Sequence, residues 1–258
     1  MRDPKLRFSN RATDYAKYRP GYPREILSFL EEKCGLTNSS VVADVGSGTG
    51  ILSELLLQNG NRVLGVEPNE EMRRAAEGLL GPHPCFESVA GAAEATTLAD
   101  GSVDLIIAGN SFHWFDHDAS QVEFSRVLKP GGRVAVVWNV PHKTGVPFLE
   151  DLERLLSEHR IDYSGVEAAS EEDIYERTET IFGAGGFETA RFPNAQPLQA
   201  LDFEGLKGLV LSYSNVPAEG EPGSGAMLRD LEGVFHAHES GGQVTMEYVV
   251  RVYCGSLR

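Results

Sequence analysis

Val41-Val42-Ala43-Asp44-Val45-Gly46-Ser47-Gly48-Thr49-Gly50, followed by Ile51-Leu52-Ser53-Glu54-Leu55-Leu56-Leu57, is the stretch around which the chain is built. An apolar run carrying one acid, then a glycine cluster, then apolar residues at helical spacing reads as a buried strand, a tight turn and a helix. This is the opening βα unit of a doubly wound α/β sheet. Gly46, Gly48 and Gly50 allow a sharp turn, leave bare peptide N–H groups beside a ligand, and aim a helix N-terminus at it.

Spacing narrows the ligand. The dinucleotide fingerprint G-x-G-x-x-G requires a small residue at position 51, where Ile51 stands. The pattern is instead D-x-G-x-G-x-G, and Asp44 places a carboxylate beside the position a pyrophosphate would take. An acid there repels phosphate and suits a cationic ligand. The arrangement resembles motif I of the class I S-adenosylmethionine-dependent methyltransferases. That likeness implies a Rossmann-like, seven-stranded, mostly parallel sheet with an N-terminal helical cap and a helical lid. It places Asp44, Gly46, Ser47, Gly48 and Gly50 around the cofactor.

The likeness continues in order along the chain. Arg62 to Val66 reads as a second strand with Glu67 at its carboxyl end, where a carboxylate can accept both hydroxyls of a ribose. Asn69 is placed to cap the next helix, and Pro68 and Met72 would flank an adenine. A third strand is expected near Cys85 to Val89. The run after it, Ala90 to Leu98, is similar to the family's G-D-A-E-x-L-P segment, which reads the adenine edge and here supplies Ala92, Ala93 and Glu94. Ala92 stands where the family has aspartate, so Glu94 or a main-chain carbonyl must take over that contact. Val103 to Ala108 reads as the fourth strand and Arg133 to Trp138 as the fifth. Gly109-Asn110-Ser111-Phe112-His113-Trp114-Phe115-Asp116 and Leu128-Lys129-Pro130-Gly131-Gly132 resemble the family's S-x-H-W-F-D and L-K-P-G-G segments. The resemblance puts the main chain near Asn110 and Ser111 opposite the cofactor's amino group. Asp116 or Asp118 would cap the helix that follows.

Upstream, Phe8 to Pro23 is polar and aromatic. Asp14 can cap a short helix that Arg19-Pro20 must end, and a second helix opens at Pro23 and stops at Gly35. The Tyr-x-x-Tyr-Arg-Pro-x-Tyr-Pro run resembles the cap of trans-aconitate methyltransferases, which implies Tyr15, Tyr18 and Arg19 near the cofactor's carboxylate. Packing tyrosines and a surface ion pair are the other reading of those residues. The expected domains are a cofactor-binding core with its cap over 1–140, a helical lid over 141–186, and 187–258 completing the sheet. Within the lid, Ser170-Glu171-Glu172-Asp173 resembles a capping-box start. Strands are expected near Phe187 to Phe192 and Thr245 to Tyr253, and helices around Phe203 to Leu211 and Ala226 to His238. The loop Ser212 to Pro217 could reach a substrate.

The 258 residues carry a formal net charge of −15 and a pI near 4.9, which gives no general attraction to nucleic acid or anionic lipid. Small-molecule acceptors are favoured. Cys34, Cys85 and Cys254 are isolated, which argues against a disulfide framework or a cysteine zinc site and for reduced thiols in a cytoplasmic protein. The N-terminus shows no apolar signal core and no run approaches membrane-spanning length. His113 and His117 with Asp116 and Asp118 could hold a metal, but a capped helix start explains them, so no metal is expected. Monomer and dimer both remain open.

Methyl transfer from a sulfonium is an in-line displacement that needs alignment and exclusion of water. The expected function is transfer of a methyl group from S-adenosylmethionine to a small molecule, with a carboxylate or hydroxyl as acceptor. A base is needed only where the acceptor carries a proton, and His113 is the candidate, with loop positioning as its other role. Trp114 and the tyrosines could face the sulfonium. A non-catalytic S-adenosylmethionine- or S-adenosylhomocysteine-binding protein is the alternative function. A nicotinamide oxidoreductase is opposed by Ile51 and Asp44. Arg177, Arg191 and Arg229 are anion partners named from residue type alone.

Overall fold

Val41–Val45 (β1) lies in the interior of the sheet, and four of its five residues are buried, as expected for a strand covered on both faces. The computed structural model describes residues 11–142, 145–161, 171–183, 186–193 and 198–257. The reading of Phe8 and that of the Ser170 capping box lie outside the described residues, as does the side chain of Arg177.

To one side of β1 lie Arg62–Val66 (β2) and Phe86–Val89 (β3). To the other lie Val103–Gly109 (β4), Leu128–Pro141 (β5), Tyr248–Gly255 (β9) and Phe187–Pro193 (β6), giving the order β3-β2-β1-β4-β5-β9-β6. The first five are parallel, whereas β9 runs antiparallel to both β5 and β6. The strand order reverses between β1 and β4, and a doubly wound sheet binds its ligand in the crevice outside the strand carboxyl ends at that point.

Helices cover both faces. Glu25–Cys34 (α2) and Ile51–Gln58 (α3) pack Ile26, Leu30, Leu52 and Leu56 against Val42, Leu105 and Val137. The other face receives Phe124 and Val127 of His117–Val127 (α5) and Ile181 and Phe182 of Glu171–Phe182 (α7). Glu70–Leu80 (α4) starts at Asn69, whose side chain accepts from Met72 N at 3.0 Å, and α5 starts at Asp116, which accepts from Ala119 N at 3.1 Å. Both caps satisfy amides left over at a helix start. Asp14 is not a cap. The N-cap position of Ala12–Tyr18 (α1) is Arg11, and Asp14 sits in the first turn, where its charge still opposes the helix dipole.

A third apolar cluster is built mainly from helices and meets the sheet at Tyr248 of β9. Pro147–Glu158 (α6), Phe203–Leu211 (α8) and Ser224–His238 (α9) bury Leu149, Leu152, Leu206, Leu209 and Leu231 with a two-stranded ribbon of Gln199–Leu201 (β7) and Val244–Met246 (β8). The helical layer therefore differs from the expected 141–186 lid. Its first helix, α6, joins α8 and α9, while α7 turns Ile181 and Phe182 onto the sheet. An apolar stripe shows that a helix buries one face without naming the face it buries it against.

Cys34 and Cys254, 220 residues apart, form a disulfide with Cα atoms 6.3 Å apart, which overturns the expectation of isolated thiols. The end of α2 lies across β9, a juxtaposition invisible in residue spacing. Cys85 is free. Among the described residues no helix is long and apolar enough to cross a membrane.

Tyr18 reaches α8 only because position 208 is glycine, since a methyl there would overlap the Tyr18 ring. Gly208→Ala is therefore expected to destabilise the protein by about 1–3 kcal/mol, overpacking outweighing the ~1 kcal/mol helix-propensity gain of alanine. Thermal denaturation checks this, and an unchanged or raised melting temperature would refute the α1–α8 packing.

Candidate functional site

The glycine turn is tied to the second strand. Gly46 N and Ser47 N donate to Val66 O at 2.8 and 3.2 Å. Gly48 N donates to Glu67 Oε2 at 2.9 Å, and Asn69 N donates to Glu67 Oε1 at 2.8 Å. Each carboxylate oxygen thus holds one backbone amide and keeps acceptor capacity for a ligand. Glu67 is 8% exposed. Burial raises its pKa, and the two amides pull it back towards the charged form.

Gly46 has φ +67°, and a Cβ there would lie 2.6 Å from Ser111 Cβ. Ser111 Oγ donates to Val45 O at 2.9 Å, so the loop after β4 closes directly onto the turn after β1. Next to it Asn110 is left-handed, with φ 51°. Its amide donates to Val137 O at 2.9 Å and its Oδ1 accepts from Asn139 N at 2.8 Å, which hold this strained backbone between β4 and β5.

These elements enclose a cavity of about 170 Å³. Its floor is Gly46 and Gly48, with Glu67, Pro68 and Met72 at the tip of β2. Ala92, Ala93 and Glu94 line one side, Asn110 and Ser111 another, and Tyr15 reaches in from α1. Trp114 and Phe115 complete the wall. Phe115 was missed by sequence reasoning, although its place in the run ending at Asp116 is a usable signal. Ala92 and Ala95 exchange backbone hydrogen bonds at 3.1 and 3.0 Å, and Glu94 Oε1 accepts from Asp116 N at 2.9 Å, which fixes this edge.

A second space joins the first through Gly46 and Asn110 and is lined by Asp44, Ser47, Tyr15, Arg19 and Tyr22. Asp44 is 1% exposed, and its Oδ2 accepts from Ser53 Oγ at 2.7 Å. Burial pushes its pKa up to about 7 and the Glu67 charge adds to this, while the Ser53 hydrogen bond opposes it. Arg19 lies between the rings of Tyr15 and Tyr213, at 4.8 and 4.5 Å from their centroids. Its Nε donates to Ser212 Oγ at 2.9 Å and its Nη2 to Ser212 O at 3.2 Å. Tyr213 comes from the 212–217 loop expected near a substrate, and the fold brings it and Tyr22 to Arg19.

Three expected site residues lie elsewhere. Tyr18 packs on Gly208 and lines neither space. Gly50 is the N-cap of α3 and shapes the turn from behind. His113 tilts against Trp114 and Trp138, with ring centroids 4.7 and 5.1 Å away. It lines neither of these two spaces and packs against both indoles. His117 stacks on Phe112 at 4.6 Å. Among the described residues no three His, Cys, Asp or Glu side chains gather as metal ligands.

Residues 43–136 match the family model described as a methyltransferase domain. Over 250 residues the chain is 26% identical to an uncharacterised methyltransferase of Schizosaccharomyces pombe, covering 95% of each. A structure described as a type II methyltransferase from Anaeromyxobacter dehalogenans superposes with TM-score 0.63 at 22% identity, over 93% of this chain and 98% of that one. The fold is that of the class I methyltransferases. A phosphoethanolamine N-methyltransferase of Haemonchus contortus, solved with phosphomonomethylethanolamine and S-adenosylhomocysteine, shares this class I methyltransferase fold at TM-score 0.53 and 14% identity, over 96% of this chain and 57% of that one. Within residues 43–136 the glycine turn, Glu67 and the Asn110-Ser111 loop stand at the strand ends where a class I fold receives its ligand.

Proposed function

We propose that the chain transfers a methyl group from S-adenosylmethionine to a small-molecule acceptor. The observation that carries this reading is Glu67, a buried carboxylate oriented by Gly48 N and Asn69 N at the tip of β2, facing a cavity whose floor is the Gly46 turn. A vicinal diol needs two acceptors at fixed spacing, and this carboxylate supplies them. Gly46 and Gly48 fit the same group by leaving the turn bare. The methyl donor supplies an activated methyl and a good leaving group.

The chain's own residues would then bind and orient. Glu67 holds the ribose. Pro68, Met72, Ala92, Ala93 and Glu94 enclose the adenine. Asp44 and the Asn110 backbone receive the amino group, with Ser47 beside them. Tyr15 and Arg19 lie where the carboxylate would be held. Trp114 and Tyr15 offer ring faces to the sulfonium. Incubation with labelled methyl donor and an acceptor panel tests turnover, and binding of the donor with no transfer to any acceptor would favour the non-catalytic alternative.

Asp44 makes a pH dependence. A carboxyl group titrating near pH 7 is largely protonated at pH 6 and ionised at pH 8, and only the ionised form pairs with an ammonium group. Affinity for S-adenosylhomocysteine is therefore expected to rise about tenfold from pH 6 to pH 8 with proton release on binding. Asp44→Asn removes the rise. Calorimetry in buffers of different ionisation heat measures both, and a flat wild-type profile would contradict the role of Asp44.

A further inference from the structure

Two arginines flank α1, Arg11 at its N-cap position and Arg19 at its C-cap position, and both grip the same segment, the end of α8 and the loop that follows. Arg11 is 5% exposed. Its Nη1 donates to Leu211 O at 2.8 Å and to Tyr213 O, and its Nη2 donates to Val216 O at 2.7 Å. These bonds bracket the two residues that hold Arg19. Ser212 accepts from Nε and Nη2 of Arg19, and the Tyr213 ring covers its guanidinium.

Capping α8 accounts for only one of the three Arg11 bonds. The carbonyls of Gly208, Leu209 and Val210 already accept from Ser212 N and Tyr213 N, and Arg11 takes the next one, Leu211 O, with a cation at the negative end of the helix dipole. Tyr213 O and Val216 O lie beyond the helix, so the bonds to them fix the path of the loop instead. A guanidinium presents its donors in a rigid fork, whereas an ammonium is a compact point charge that cannot span carbonyls spread from Leu211 to Val216. Along α1, Tyr15 N donates to Arg11 O at 2.8 Å and Arg19 N to Tyr15 O at 3.1 Å, which puts Arg11, Tyr15 and Arg19 on one helical face at fixed separation. A shift of Arg11 is therefore passed on to Tyr15 and Arg19.

We propose that Arg11 is the positioning residue for Arg19: by fastening the chain at Leu211, Tyr213 and Val216 it sets the seat from which the Arg19 guanidinium meets the carboxylate of the methyl donor. This rests on the assignment of Arg19 to that carboxylate above. Arg11 lines neither the cavity at Glu67 nor the space beside it, so it acts on the ligand through Ser212 and Tyr213. A guanidinium and a carboxylate pair through two parallel bonds, and a small turn of Arg19 breaks one of them. The nucleoside end, at the tip of β2, lies outside this linkage.

The test is calorimetric titration of the full chain with S-adenosylhomocysteine and with its decarboxylated analogue, which keeps the nucleoside and the amine and lacks only the carboxylate. The wild type is expected to bind S-adenosylhomocysteine about 100-fold more tightly than the analogue. Arg19→Ala is expected to cut that ratio to about threefold. Arg11→Lys is expected to cut it to about tenfold, with affinity for the analogue within about threefold of wild type. Arg11→Gln, which keeps two donors without the charge, is expected to match Arg11→Lys. A ratio that collapses in Arg19→Ala but is kept in both Arg11 variants would overturn the proposal and leave the Arg19 reading standing. Equal loss of both ligands would also overturn it, by making Arg11 a structural residue only, as would loss of a cooperative melting curve in both Arg11 variants. A wild-type ratio below about threefold, or no heat with either ligand, would remove the Arg19 reading, and this proposal with it.

Discussion

Glu67→Gln is expected to weaken S-adenosylhomocysteine binding about 100-fold. In the wild type both oxygens accept backbone amides, from Gly48 and Asn69, at 2.9 and 2.8 Å. An amide side chain has one acceptor end, so its NH2 must face one of those two N–H donors. The side chain then turns or the turn shifts, and at least one charge-assisted hydrogen bond to the ribose is lost as well. Together these are worth about 3 kcal/mol, or about two decades of affinity. Titration calorimetry of the variant measures it. Affinity within threefold of wild type would mean that Glu67 is not the ribose acceptor.

Gly46→Ala is expected to remove binding and also to cost stability. Alanine at φ +67° carries about 1–2 kcal/mol of backbone strain. Its Cβ would also lie 2.6 Å from Ser111 Cβ, which is not a flexible side-chain end. Ser111 must retreat, breaking its bond to Val45 O and disturbing Asn110, whose left-handed backbone is held by its bonds to Val137 and Asn139. A loss of about 2–4 kcal/mol in unfolding free energy is expected, with no saturable heat on ligand addition. A variant with near wild-type melting temperature and affinity would show that the two loops are not pressed together.

What was legible in the sequence follows the range of the forces involved. The unit from Val41 to Leu57 announced itself through local pattern, as did the Asn69 cap and Glu67, which follows directly on its strand. Gly46, Gly48, Pro68, Met72 and the run from Ala92 to Glu94 lie along one cavity because each follows a strand of the same sheet, and sheet order converts sequence order into position. Tyr18 and His113 turned away because their neighbours, Gly208 and Trp138, come from distant segments. The pairing of Cys34 with Cys254 and the joining of α6 to α8 and α9 are long-range contacts with no local signature. The strands β7 and β8, three residues each, are too short for alternation to show.

The most direct measurement is titration of the wild-type protein with S-adenosylhomocysteine at pH 8. One saturable site per chain is expected, lost in Gly46→Ala and weakened about 100-fold in Glu67→Gln. No heat with S-adenosylhomocysteine or with the methyl donor, from a protein whose melting curve shows it folded, would contradict the assignment of this cavity.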